Sequence, residues 1–232
     1  MRVTAIIAAA GSGKRIGSCL PAGTAKKQFL EILGKSILSM TVSVFEECQS
    51  VDDIIVVVNK DDVEQASNVL SGYKKLLKIV PGGAERQNSV YNGLQAASRE
   101  TDIVVIHDGA RPLVTKEMIS GAINEAKTSK AVITGMPVKD TIKTVSKENV
   151  VLETLDRDTI WIVQTPQAFE FNLIKEAYER ANKIGYLATD DSKLVERLGI
   201  SVKMVMGSYE NIKITTKEDM KIAEAILKER ES

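Results

Sequence analysis

The sequence predicts an α/β fold of three layers: a mostly parallel twisted sheet covered by helices on both faces, with a protruding β-hairpin arm. Three observations carry this. Short continuous apolar runs alternate with amphipathic segments, the pattern of strands buried on both faces. The alternation fails once, around residues 139–158, where two short period-2 segments flank a turn. The glycines and charges that look chemical fall just after the apolar runs, where a parallel sheet places its ligands.

Val3–Ala8 reads as the first buried strand, ahead of a glycine loop. Ser36–Glu47 reads as an amphipathic helix with Ile37, Thr41, Val44 and Phe45 on one face. Asp53–Asn59 is a second buried strand, followed by a helix over Asp61–Leu70. Leu76–Val80 is a third strand ending in Pro81-Gly82-Gly83, and Gln87–Ser98 is helical. Asp102–His107 is a fourth strand; Thr115, with Glu117 behind it, can cap a helix running to Lys127. Ala131–Val138 is a fifth strand. DTIKTV, a turn at SKEN and VVLETL form the hairpin, of mixed polarity on both faces and so not enclosed by the core. Helices over Phe171–Lys183 and Asp190–Leu198, a strand over Ser201–Met206, a segment Asn211–Thr215 and a helix Lys217–Glu229 complete the chain. With no repeat, low-complexity tract or linker, residues 1–232 read as a single domain with an arm at about 139–158.

The 232 residues suffice for one domain with a full core. Lys plus Arg and Asp plus Glu both number 31, which argues against a general nucleic-acid or membrane-surface binder. No apolar run approaches the ~20 residues of a membrane-spanning helix. Cys19 and Cys48 are too few and too badly spaced for a zinc site or a disulfide framework, so both read as reduced thiols of a cytoplasmic protein. The balance hides a local excess. Arg2, Lys14, Arg15, Lys26 and Lys27 all precede Glu31, the first carboxylate, and VTAIIAAAGSGKR threads two glycines through that stretch. Backbone N–H groups and fixed positive charge at a strand tip suit a polyphosphate.

The glycine loop misses two familiar motifs. Lys14 is followed by Arg15, with glycine spacing wrong for GxxxxGK[ST]. Gly11, Gly13 and Gly17 give GxGxxxG, and the second strand ends in Asn59, with no acid for a ribose diol. A structural turn with solvated cations is the plain alternative for Lys14-Arg15, weakened by Lys26-Lys27. His107 is the only histidine, without a nucleophile motif beside it, and reads as a hydrogen-bonded strand-end residue. Asp108 is the better functional candidate, able to hold Mg²⁺ or a substrate hydroxyl. Asp190-Asp191 reads as a helix cap ahead of a metal pair. Ser89 has a capping role and a base-recognition role open to it. Trp161 and Tyr186 read as packing residues.

AAAGSGKR, KKQFL, GGAERQNSV, HDGARP, PVKDT, LDRDTIW, QTPQAF, ATDDSKLVE and NIKIT occur in this order from Val3 to the last helix. The chain thereby resembles the 2-C-methyl-D-erythritol 4-phosphate cytidylyltransferases of the non-mevalonate isoprenoid pathway. Ribitol-5-phosphate cytidylyltransferases share several of these motifs and stand as the alternative, beside a non-catalytic nucleotide-binding module. The resemblance implies a Rossmann-like fold of the nucleotide-diphospho-sugar transferase type. It implies transfer of CMP from CTP to methylerythritol phosphate with release of pyrophosphate, and Mg²⁺ or another divalent cation as cofactor. Ala9, Ala10, Gly11 and Gly13 would cradle CTP, with Gly82, Gly83 and Ser89 at the cytosine. Arg15 and Lys27 would stabilise triphosphate charge, and Arg157 and Lys213 join them as catalytic candidates. Thr141, Arg157, Thr189 and Lys213 would hold methylerythritol phosphate, with Asp108 and Arg111 beside it. The arm would exchange between the subunits of a homodimer, so that Thr141 and Arg157 serve the partner's site; no nucleic acid and no membrane are implied. Two departures stand out: Arg15 and Lys27 are separated by an unusually long stretch with Lys26 at the usual proline position, which would add a cation to the triphosphate site, and Ala84 stands where some members carry Asp.

Overall fold

A computed structural model describes residues 1–11 and 26–231. Among the described residues seven strands form the main sheet, in the order β11 (Lys203–Met206), β7 (Ala131–Pro137), β10 (Trp161–Glu170), β6 (Ile103–Asp108), β1 (Val3–Ala9), β4 (Asp53–Val58), β5 (Leu76–Pro81). β1 lies between β4 and β6, parallel to both. β5 pairs parallel with β4, and β11 pairs parallel with β7. β10 runs antiparallel to both of its neighbours, β6 and β7.

The apolar runs form strands because both of their faces are covered. Val3, Ala5, Ile7 and Ala9 pack with Leu38, Val42 and Phe45 of helix α1 (Ile37–Glu47) and with Ile119 and Ile123 of α4 (Lys116–Ser129). Ile6 points the other way, to Val90 and Leu94 of α3 (Arg86–Ala96) and Ile174 and Tyr178 of α5 (Phe171–Lys183). A strand with period-2 side chains can satisfy two cores at once only if nearly every position is apolar. α1 buries Ile37, Thr41 and Phe45 as its spacing predicts, whereas Val44 is only partly covered and Leu38 and Val42 complete the face. Thr115 caps α4, accepting from the Met118 N–H, and Lys130 ends the helix in the left-handed conformation.

The remaining elements are α2 (Val63–Val69), reached through a 3₁₀ turn at Lys60–Asp62, the short α6 (Ser192–Glu196) and the closing α7 (Lys217–Glu231). β2 (Glu31–Ile32) and β3 (Lys35–Ser36) make a small hairpin ahead of α1. Among the described residues β8 (Lys143–Val145) and β9 (Val151–Thr154) pair only with each other and form the expected arm. Val138 N–H donates to Ile160 C=O across its root.

β10 is the one long strand that the sequence pattern misses. Trp161–Val163 at its start are partly or fully exposed and residues 164–169 are buried, the polar Gln164, Thr165 and Gln167 among them. A proline and a register shift between Gln164 and Gln167 interrupt it. Neither a continuous apolar run nor a clean alternation survives these interruptions.

Candidate active site

Register sets the position of the site. Ala8 lies opposite Asp108 on one side and Val57 on the other, Ala9 opposite Val58, and Val58 opposite Pro81. The carboxyl ends of β5, β4, β1 and β6 therefore reach one level. There they surround a cavity of about 510 Å³, floored by Ala8–Gly11 and Asp108–Ala110.

One wall is small and made largely of backbone. Gly82 N–H donates to Val58 C=O at 2.7 Å, and Gly83 N–H to Ser89 Oγ at 3.1 Å. Ser89 Oγ also donates to Glu85 C=O at 3.0 Å, while the Glu85 N–H is held by Asn88 Oδ1 at 3.1 Å. Ser89 thus ties the glycine turn to the first turn of α3, and Asn88 does the capping. A Cβ on Gly82 would collide with the Ala10 methyl and lie 2.7 Å from Ser89 Oγ; one on Gly83 would collide with Asn88. Only glycine permits this approach. Gly83 and Ser89 line the cavity, with Gly82 packed behind them.

A second wall is charged. Asp108 Oδ1 accepts from Arg86 Nε at 3.0 Å, Oδ2 accepts from Lys213 Nζ at 2.6 Å, and Arg111 Nε stands 3.9 Å from Oδ2. Arg86 also makes a two-pronged ion pair with Asp191, Nη1 to Oδ1 at 2.9 Å and Nη2 to Oδ2 at 2.8 Å. Asp191, 1% exposed, additionally accepts from the Tyr178 hydroxyl. Burial would push the Asp108 carboxyl up, but Arg86, Lys213 and Arg111 outweigh it and hold the group well below the usual carboxylate range. Burial pulls the Arg86 guanidinium down, and Asp191 and Asp108 more than reverse this. This cluster of three cations and two carboxylates carries one net positive charge, and so does the lining itself, where Lys27, Arg86 and Lys213 stand against Glu85 and Asp108, which suits an anionic ligand.

His107 lies beneath this wall, fully buried. The Asp108 N–H donates to Thr165 Oγ at 3.1 Å, and Thr165 Oγ is 3.0 Å from His107 Nδ1. The other ring nitrogen, Nε2, is 3.1 Å from Arg111 C=O, which can only accept. Nε2 therefore carries a proton, and burial lowers the ring's pKa to about 4, so the ring is neutral near pH 7. It is the structural strand-end histidine that the sequence indicates.

The predicted residues divide into four groups. Ala9, Ala10, Gly11, Lys27, Gly83, Ser89, Asp108 and Lys213 line the cavity, and Gly82 and Arg111 support it. Gly13 and Arg15, with Lys14 and Cys19, lie outside the described residues. Thr141 and Arg157 are exposed at the root of the arm and take no part in this chain's cavity; Arg157 Nη1 donates to Lys139 C=O at 3.1 Å. Thr189 is exposed and also stands off the lining.

The structure corrects two smaller expectations and adds residues. Lys26 is paired with Asp62 at 2.7 Å, so its charge is already compensated before any phosphate arrives. Asp190 does accept from the Lys193 N–H at 3.2 Å as a cap, whereas Asp191 turns inward to Arg86. Arg86, Asp191 and Tyr178 are site residues that the sequence does not single out. The available signal was an acid pair and an arginine inside two ordered motifs, 105 residues apart.

A wall of small residues and a positively biased cluster at the tips of a mostly parallel sheet suit a nucleotide, and the likeness to known proteins makes the chain a nucleotidyltransferase by class. Residues 3–229 match the family model described as IspD, 2-C-methyl-D-erythritol 4-phosphate cytidylyltransferase. The chain belongs to this family. It is 50% identical over 224 residues to the 2-C-methyl-D-erythritol 4-phosphate cytidylyltransferase of Clostridioides difficile (96% of this chain, 92% of that one). It is 48% identical over 231 residues to that of Caldanaerobacter subterraneus (98% and 100%). Among solved structures, the 4-diphosphocytidyl-2C-methyl-D-erythritol synthase of Anaerococcus prevotii superposes with a TM-score of 0.86 at 37% identity, covering 98% of each chain. The cytidylyltransferase of Thermus thermophilus superposes with a TM-score of 0.79 at 30% identity, covering 98% of this chain and all of that one.

Proposed function

We propose that this chain transfers CMP from CTP to 2-C-methyl-D-erythritol 4-phosphate, giving 4-diphosphocytidyl-2-C-methyl-D-erythritol and pyrophosphate, in isoprenoid precursor biosynthesis. The single observation that carries this reading is the pairing of a glycine–alanine cradle with a wall of net positive charge, in a member of this family. The nucleophile is a phosphate monoester whose second pKa is about 6, so it is largely dianionic at neutral pH and needs no general base. A site whose only histidine is buried and neutral accords with that chemistry.

The barrier is electrostatic. At ~4 Å and an effective dielectric near 20, each pair of like unit charges repels by about 4 kcal/mol. In this reading the cradle at Ala9–Gly11 takes the triphosphate, Gly82, Gly83 and Ser89 read the cytosine, and Lys27 with Arg15 stabilises the charge that grows on the leaving pyrophosphate. Asp108 stays ionised and accepts from a polyol hydroxyl, while Lys213 and Arg111 hold the substrate phosphate nearby. Thr189 completes that pocket.

A divalent cation fits this site as the metal complex of CTP. Both Asp108 oxygens are already engaged by cations, and among the described residues no group of three or more metal-binding side chains exists. The triphosphate oxygens would hold Mg²⁺, which when bound neutralises phosphate charge.

The enzyme acts as a homodimer of single-domain subunits in the cytoplasm, exchanging the arm at 139–158. Support comes from the arm's apolar surface: Val150 is 60% and Leu152 66% exposed on a hairpin that pairs with no other strand among the described residues. Thr141 and Arg157 then reach the partner's methylerythritol phosphate pocket. Pyrophosphate release decides the reaction. CTP with methylerythritol phosphate should release it, CTP alone should not, and ribitol 5-phosphate should substitute poorly; equal release with both alcohols overturns the substrate assignment, and release with neither overturns the enzyme.

A further inference from the structure

Asp62 is 4% exposed and faces the end of the segment that leads into Lys27. It occupies the N-cap position of α2, yet its side chain makes no capping bond. A buried aspartate at a helix start normally spends its oxygens on that helix. Here both go elsewhere. Oδ1 accepts from Lys26 Nζ at 2.7 Å, and Oδ2 accepts from Gln28 Nε2 at 3.0 Å.

These two partners flank Lys27, the cavity-lining lysine of the 3₁₀ turn Lys27–Phe29. Gln28 is itself buried, and Phe29 sits in the main core. Asp62 ends the 3₁₀ turn that begins just after Asn59, a cavity residue at the tip of β4. One carboxylate therefore grips the residue before and the residue after Lys27, from a turn anchored on the sheet. Lysine carries a point charge on a flexible stem, so its aim depends on how firmly its backbone is held.

We propose that Asp62 is a positioning residue for Lys27: its two bonds to Lys26 and Gln28 fix the turn that directs Lys27 at the nucleotide's phosphates. The proposal rests on the cytidylyltransferase reading, in which Lys27 stabilises the triphosphate. Lys26 then serves as a structural clasp. Its backbone angles, φ −58° and ψ 149°, are those a proline adopts, so a rigid residue could replace the clasp in part.

A double-mutant cycle tests this by pyrophosphate release, with kcat and KM measured separately for CTP and methylerythritol phosphate. Asp62→Ala lowers kcat by about 10- to 50-fold, a fraction of the loss on deleting a charge-stabilising group outright. The KM for methylerythritol phosphate stays within about twofold, as expected when an interaction made in the transition state is lost. The decisive comparison is Asp62→Ala/Lys27→Ala against Lys27→Ala. Equal activities of the two support the proposal, because Asp62 then acts only through Lys27. Multiplying losses overturn it, as does a rise in the methylerythritol phosphate KM comparable to the fall in kcat.

Should Asp62→Ala fail to fold by circular dichroism, Gln28→Ala and Lys26→Ala each remove one of the two bonds and enter the same cycle with the same criteria. Lys26→Pro restores part of the activity lost in Lys26→Ala; no recovery counts against the clasp. The two failures are distinguishable. An active wild type with multiplying losses sinks the positioning role and leaves the reaction standing, whereas a wild type releasing no pyrophosphate sinks both.

Discussion

The two walls of the cavity are built from opposite materials. On one side Ala10, Gly82, Gly83 and Ser89 pack so closely that a single added carbon has no room. On the other, Arg86, Asp108, Asp191 and Lys213 are large side chains whose positions are fixed by charge pairing. The first wall discriminates by shape and tolerates no extra volume. The second tolerates a change of shape better than a change of charge, since each ion is partly desolvated and depends on its neighbours.

The largest effect should follow from removing charge while keeping shape. Asp108→Asn leaves Arg86, Lys213 and Arg111 without their shared counter-ion. Turnover with methylerythritol phosphate should fall about 10²- to 10³-fold, the scale of losing one strong electrostatic group at a reacting centre. The KM for CTP should move little. Steady-state kinetics with each substrate varied checks this, and a loss confined to the CTP KM would mean that the charged wall serves the nucleotide instead.

Arg157→Ala separates the walls from the arm. In an arm-exchanged dimer this residue reaches the charged wall of the partner. The substitution should raise the KM for methylerythritol phosphate about 10- to 100-fold, as losing a hydrogen bond to a charged group does. Mixing Arg157→Ala subunits with Asp108→Asn subunits should restore activity through the hybrid site that retains both residues. No recovery in the mixture, with dimers verified by light scattering, would confine each site to one chain.

Gly82→Ala tests the small wall. The new methyl meets Ala10 and Ser89, and overpacking of this kind costs about 1–3 kcal/mol. If half of that falls on the nucleotide-bound state, the KM for CTP rises by about tenfold at most, since 1.4 kcal/mol is a factor of ten. The methylerythritol phosphate KM should hold. A variant with wild-type kinetics would show that the wall yields, and the contrast between the two walls would fail.

The same contrast explains what could be read in the sequence. β1, β4 and β6 announce themselves because two packed faces demand unbroken apolar runs, and the glycine wall because glycines after such runs are rare and local. The arm was visible too, since its mixed polarity fits no enclosed strand. Of the charged wall, Asp108 shows at its strand end and Lys213 and Arg111 come with the resemblance, but Arg86 and Asp191 are hidden: they meet across 105 residues, and neither has a sequence neighbour that points to the other. Asp62 was hidden for the same reason, because its partners lie 34 and 36 positions away. β10 stayed illegible because its polar residues are used inside the fold. Gln164 Nε2 donates to Ser208 C=O, and Thr165 supports both His107 and Asp108.

His107 gives the smallest effect on activity and marks where the charged wall ends. Its folded pKa of about 4 lies below its ordinary 6.5, so the unfolded chain takes up the proton first as pH falls. The stability this gives is complete above about pH 6.5 and drains away toward pH 4, amounting to about 2 kcal/mol lost by pH 5 at 1.36 kcal/mol per unit. Asp108 adds nothing in that window, because its depressed pKa costs stability only below the ordinary carboxylate range near pH 4. Urea unfolding at pH 7 and pH 5 should therefore show a larger drop for the wild type than for His107→Gln, which cannot titrate. Turnover between pH 5 and 8 should follow the ionisation of the substrate phosphate in both proteins. An inflection present in the wild type and missing in His107→Gln would put the imidazole into the chemistry and extend the charged wall one residue deeper.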